Sequence, residues 1–92
     1  MAVYVDPLFL TVPSRNWRYT SACHLTADTI EELHAFAVRQ LRLHPAWYQH
    51  DSQSKARCHY DLTANKRVQA IRLGAVALTR EQMVERIRQG AN

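Results

Sequence analysis

Thr63-Ala64-Asn65-Lys66-Arg67-Val68-Gln69-Ala70-Ile71-Arg72-Leu73-Gly74-Ala75-Val76-Ala77-Leu78 is the stretch on which the fold turns. A threonine hydroxyl can accept a hydrogen bond from a free amide at a helix start. Ala64, Val68 and Ile71 then recur at helical spacing, and Gly74 supplies the left-handed residue that ends the turn, which predicts a helix over 64–73. Ala70 and Gly74 also have the Ala-x-x-x-Gly spacing found where the first helix of a helix-turn-helix ends, and the segment is basic, so a DNA-binding module is a rival reading. The continuation argues against it. A helix-turn-helix joins its helices in about three or four residues, whereas Gly74 to Thr79 spans six and contains the strand-like Ala75-Val76-Ala77-Leu78.

On the carboxyl side, Thr79 with Gln82 has capping-box spacing before a last helix over 80–89, with Met83, Val84 and Ile87 facing inward and Gly90 ending it. On the amino side, His50 to Cys58 is polar and aperiodic and reads as a surface loop. Before it, Pro45 favours an extended His44, after which 46–49 reads as a strand. Thr29 with Glu32, or Asp28 with Glu31, starts an amphipathic helix over 29–42 that buries Ile30, Leu33, Ala37 and Leu41, with His34 at the edge of the apolar face as a core histidine. Ala2-Val3-Tyr4-Val5 reads as a buried strand closed by Asp6-Pro7. Residues 7–28 read as irregular, with Trp17 to Ala22 a short extra strand. Trp17, Trp47 and Tyr48 read as core or pocket wall. The alternation of strand and helix points to one α/β domain over 1–92, a mostly parallel three- to four-stranded sheet with about three helices.

Composition narrows function by exclusion. Ninety-two residues, 47% hydrophobic and 22% charged, make one domain. Two glycines leave no glycine-rich phosphate loop and no nucleophile elbow. Two cysteines suggest reduced thiols, not a bridged secreted scaffold. The longest apolar run is residues 1–5, too short for a membrane span, and no Lys or Arg precedes Arg15 as a secretory leader would require, so the expected location is cytoplasmic. The net charge of +4 is concentrated: residues 1–50 balance to zero, while Lys55, Arg57, Lys66, Arg67 and Arg72 oppose two Asp over 51–78, as a footprint for phosphate or nucleic acid or as a solvated basic face.

In a parallel sheet, ligands bind where strand-to-helix connections gather. The predicted elements place Asp6, His24, Asp28, His50, His59, Asp61, Thr63 and Thr79 in such connections. His59 and Asp61 alternate by two and share a side in extended backbone, where Asp6 and His24 can join them as acid, base or ligand groups. The helix start after Thr63, with Lys66 and Arg67 beside it, suits an anion. Structural hydrogen bonding at a helix entry explains His59 and Asp61 equally well. Among metals, a magnesium-type divalent ion on Asp6 and Asp61 is the easier reading. Zinc on Cys23-His24 and Cys58-His59 is weaker, because adjacent side chains point apart and no C-x-x-C or H-x-x-x-H spacing occurs. No metal ligand is assigned.

Val3-Tyr4-Val5-Asp6, Trp17, His24-Leu25, Glu32-Leu33-His34-Ala35-Phe36-Ala37, Trp47-Tyr48-Gln49, His59-Tyr60-Asp61-Leu62-Thr63, Lys66-Arg67, Ala70 and Gly74-Ala75 together resemble a small bacterial and phage family, domain of unknown function 4031. The resemblance runs to residue 78 and is weakest over 7–16. It implies a cytoplasmic bacterial or phage protein and brings no activity with it; a phage source would imply a host-directed accessory role.

The functional expectation is a pocket for a phosphate-bearing ligand, nucleotide or nucleic acid, with phosphoester hydrolysis as the second claim. His59 is the acid or base, Asp61, Asp6 and His24 complete the catalytic set, and Lys66, Arg67, Thr63 and Gln49 bind the ligand. The alternatives are the DNA-binding module and a ligand-free protein-interaction domain. A shallow pocket in so short a chain also suggests a homodimer completing it.

Overall fold

Ser21-Ala22-Cys23-His24-Leu25-Thr26-Ala27 alternates small or apolar residues at 23, 25 and 27 with polar ones at 24 and 26, and in the computed structural model, which describes residues 2–90, it is the central strand. Residues 1, 91 and 92, included in the single-domain reading, lie outside the described residues. In chain order the strands are β1 (Val3–Val5), β2 (Phe9–Leu10), β3 (Ser21–Ala27), β4 (Tyr60–Leu62) and β5 (Val76–Ala77). β3 pairs antiparallel with β1 and β2 on one side and with β4 on the other, while β5 runs parallel to β1. The α/β class and the three helices hold, but the sheet is five-stranded, mixed and mostly antiparallel. The expectation of a mostly parallel sheet failed because residues 7–28, read as irregular, fold straight back on β1. With no crossover helix between them, neighbouring strands pair antiparallel.

The expected strand over 46–49 is also corrected. Pro45–Trp47 is a single tight turn, started by His44, whose Nδ1 accepts the Ala46 amide at 3.0 Å, and only Gln49 joins a ladder, exchanging backbone hydrogen bonds with His59. Proline at a first-turn position favours this over extension. Trp47 is 58% exposed and forms no core, whereas Trp17 and Tyr48 are half-buried.

Between β1 and β2 the chain carries one extra residue. Val5 pairs with Leu25 and Asp6 donates to the His24 carbonyl at 3.3 Å, yet Phe9 already pairs with Ala22, so Pro7 and Leu8 together face Cys23. This is a bulge, where the missing N–H of Pro7 leaves no ladder bond broken. It turns Phe9 onto the face that carries His24; the two rings lie 5.0 Å apart.

One sheet face is apolar. Val5, Cys23, Leu25, Ala27, Tyr60 and Leu62 pack against Leu33, Phe36, Ala37, Leu41 and Ala70. The first four of these come from α1 (Ile30–His34) and its continuation. The helix is capped by Thr29, whose hydroxyl accepts the Glu32 amide, and it widens over 35–40 into a π-helical turn in which Leu41 N–H reaches the Phe36 carbonyl at 3.0 Å. His34 is satisfied as a core histidine, its Nδ1 2.8 Å from the Tyr60 hydroxyl. Ala70 lies on α2 (Ala64–Arg72), which Thr63 caps and Gly74, at φ +107°, terminates. The inward face of α2 differs from the expectation. Ala64, Val68 and Ile71 are exposed, because Lys66 and Arg67 turn in to bond the carbonyls of Leu41 and Asp6, at 2.7 and 2.8 Å.

The other face carries Tyr4, His24, Thr26 and Asp61 by the alternation of the strands. α3 (Arg80–Gln89) crosses it, held by a complete capping box at Thr79 and Gln82, by Met83 against Thr26, and by Arg86, which bonds the Ala27 carbonyl at 2.6 Å and sits over the Tyr4 ring. Met83 and Ile87 turn inward as expected, but Val84 is 48% exposed. The loop 50–58 is more built than its polar composition suggests: Ser54, Ala56 and Cys58 are buried around a tight turn at Lys55–Arg57. β5 separates α2 from α3 and pairs into the sheet, so these helices do not form a helix-turn-helix. No helix among the described residues is long and apolar enough to cross a membrane.

Candidate functional site

His24 and Asp61 are cross-strand partners on β3 and β4, which brings both onto the polar sheet face. His59, two residues before Asp61, reaches the same side. Asp6, at the end of β1 and in register with His24, closes the row. The four residues expected to act together therefore do meet. They meet on a sheet face, though, and not at strand-to-helix connections: His24 and Asp61 lie inside strands.

Each imidazole is held through its Nδ1. The Asp6 carboxylate accepts from the His24 backbone N–H at 2.6 Å through one oxygen and contacts His24 Nδ1 at 2.7 Å through the other. Asp6 is itself buried, and its carbonyl is held by Arg67. His59 Nδ1 lies 2.8 Å from the Arg57 carbonyl, which can only accept, so this nitrogen carries the proton. His59 Nε2 then faces Asp61 Oδ1 at 3.3 Å. The two rings stand edge to face, 4.8 Å apart at 88°. Burial disfavours the charged His59 imidazole, but the hydrogen bond to Asp61, the Arg57 carbonyl, and the charges of Asp61 and Asp6 outweigh it and raise the pKa above the ordinary 6.5.

The site opens into a cleft of about 650 Å³ between α3 and the loop 50–58. His24, His59 and Thr26 line one side, Met83, Val84, Ile87 and Arg88 of α3 another, and Asp51, Ala56 and Arg57 the third. Lys66, Arg67, Thr63 and Gln49 are not among its walls. The Lys66 ammonium is bonded to the Leu41 carbonyl and to Gln69, and the Thr63 hydroxyl accepts the Lys66 amide as a helix cap. Gln49 holds His59 in place through the backbone alone. The cations at the cleft are Arg57, which the sequence placed in the basic phosphate footprint but not in the site set, and Arg88, which sequence reasoning passed over. Arg57 was findable from its alternation with His59. Arg88 was not, since its place depends on how α3 lies across the sheet.

Among the described residues His24, His59 and Asp61 form one group able to hold a metal ion, each offering a donor atom within 4.8 Å of the others. Neither thiol belongs to it. Cys23 lies on the apolar face, where burial, with a smaller push from the Asp6 charge, raises its pKa to about 12. Cys58 is buried among the Asp51 amide and the carbonyls of Asp51 and Ser54. Tyr48 borders Cys58 and His50, and burial together with Cys58 raises its pKa to about 12, so it stays a neutral hydroxyl.

No curated protein and no solved structure matches the chain. A family model described as protein of unknown function (DUF4031) matches residues 3–90, nearly the whole chain and every residue of the Asp6, His24, His59 and Asp61 row, and the chain belongs to that family.

Proposed function

We propose that the cleft binds a phosphate-bearing small molecule of the nucleotide class and hydrolyses a phosphoester bond at its floor. One observation carries this reading: two imidazoles, each set against an aspartate, line a cleft that also holds two guanidinium groups. Arg57 and Arg88 supply planar, permanently charged donors that match phosphate oxygens. A water oxygen attacks phosphorus, the ester P–O bond breaks, and protonated His59 gives its Nε2 proton to the leaving oxygen; the protons of the water leave on the phosphate product, which returns one of them to His59. The raised pKa of His59 suits a group that holds this proton near neutrality. Lys66 and Arg67 act on the scaffold, Arg67 by fixing Asp6.

The experiment is release of product from p-nitrophenyl phosphate, its diester and nucleoside phosphates by the wild-type chain and by His59→Ala. The expected result is turnover of at least one substrate, abolished in the variant, with an unchanged circular dichroism spectrum. No turnover, or turnover that survives the substitution, removes the hydrolytic claim. Binding is tested separately by titration with inorganic phosphate. Affinity that stays the same in the Arg57→Ala, Arg88→Ala double variant removes the phosphate claim.

A further inference from the structure

We propose that His24, His59 and Asp61 bind one divalent transition-metal ion, with Asp6 and the Arg57 carbonyl orienting the two imidazoles toward it. This stands on geometry and does not require the phosphoester reading; because the ion would occupy His59 Nε2, the proton transfer assigned to that nitrogen belongs to the ion-free chain.

The ring nitrogens are divided as they are in metal-bound histidines. A histidine that ligates a metal almost always donates its other ring N–H to a carboxylate or a backbone carbonyl, which sets the tautomer and the ring orientation. Both versions are present here: His24 through Nδ1 to the Asp6 carboxylate, and His59 through Nδ1 to the Arg57 carbonyl. Both rings are left with Nε2 as the available donor atom.

His59 and Asp61 also stand in electrostatic conflict. With the His59 proton on Nδ1, Nε2 of the neutral ring presents a lone pair to Asp61 Oδ1 at 3.3 Å. Two acceptors at that distance require a cation between them, either a second ring proton or a metal ion. Two ligands about 2.1 Å from a tetrahedral ion stand about 3.4 Å apart, so the existing His59 to Asp61 separation already matches. The third donor lies within 4.8 Å of both, so binding requires it to draw in towards the other two. The set is accessible, with the His24, His59 and Asp61 side chains 39%, 25% and 34% exposed.

Ligand type narrows the ion. Two imidazoles and one carboxylate on one side of an ion favour the manganese-to-zinc series over magnesium or calcium, which take oxygen, and leave positions open for water or substrate. Of the residues that a pairing of the Cys-His dipeptides suggests, the two histidines belong to the set and the two thiols do not. Alternation along β3 sends Cys23 to the opposite face from His24.

The test is titration of chelator-treated wild-type chain with Zn²⁺ by calorimetry and with Co²⁺ by visible absorption. We expect one equivalent per chain and a cobalt spectrum without a thiolate charge-transfer band. Asp61→Asn and His59→Gln should each weaken Zn²⁺ binding at least about 10-fold, and Asp6→Asn by about 10- to 100-fold. Cys58→Ser and His50→Ala should leave it unchanged. Circular dichroism reports whether each variant folds. Asp61→Asn, at a half-exposed position, keeps the proposal falsifiable should a histidine variant unfold. The proposal is overturned by a wild-type chain that takes up neither ion, by affinity that survives Asp61→Asn, or by loss of binding in Cys58→Ser or His50→Ala. One equivalent bound with no phosphoester turned over removes only the hydrolytic reading. Turnover by a chain that binds no ion removes only the metal.

Discussion

His59 is where sequence position, hydrogen bonding and charge come together in one side chain. The structure holds its pKa above the ordinary 6.5: burial opposes the charged ring, while Asp61, the Arg57 carbonyl and the Asp6 charge favour it more strongly. A folded-state value above the unfolded one means that protonation stabilises the fold. That contribution is complete on the acid side of 6.5 and is lost as pH rises through the raised folded value. In chelator-treated protein, the melting-temperature advantage of wild type over His59→Gln should therefore shrink as pH climbs past 6.5; an advantage independent of pH contradicts the assignment. Arg42 offers a second residue-scale test. It closes the π-helical turn at φ 62°, in the left-handed region, where an L side chain costs about 1 kcal/mol. Arg42→Gly should raise stability by up to about 1 kcal/mol, less the entropy that glycine adds to the unfolded chain, as measured by urea unfolding.

At the scale of elements, α3 matters most for the cleft, because it lies across the polar sheet face and supplies one wall. Its start is fixed by the reciprocal bonds of Thr79 and Gln82. Thr79→Ala removes one of these and should cost about 1 kcal/mol, or about 4–8 °C in melting temperature for a domain of this size. A melting temperature unchanged within error would mean that the cap is not holding α3. Elements also show what could be read in advance. The capped helix starts at Thr29, Thr63 and Thr79 were legible, since each depends on a hydroxyl a few residues from the amide it serves. β3 was not. Its polar members His24 and Thr26 look like loop residues until Cys23, Leu25 and Ala27 are seen to alternate with them, and that period of two was the available signal. The α2 face was misread because apolar spacing pointed to Val68 and Ile71, while the bonds that orient the helix are made by Lys66 and Arg67 to distant carbonyls.

Across the whole molecule, the grouping of Asp6, His24, His59 and Asp61 was legible and the surface on which they meet was not. The grouping follows from local patterns, a strand-ending aspartate and a histidine and aspartate two apart. The surface follows from β3 lying between β1 and β4, a long-range pairing that no local pattern encodes. That same pairing gives the site an unusual relation to stability. Its donors hang from two paired segments, His24 on β3 and His59 and Asp61 on β4 and its approach, so a sheet opened between those strands no longer holds them together. An occupant would therefore act as a clasp across the sheet, bound by the closed form alone and raising the free energy of unfolding by an amount set by its concentration relative to its dissociation constant. Amide exchange in β3 should then slow in step with occupancy, and the slowest-exchanging amides of the whole chain should slow with it.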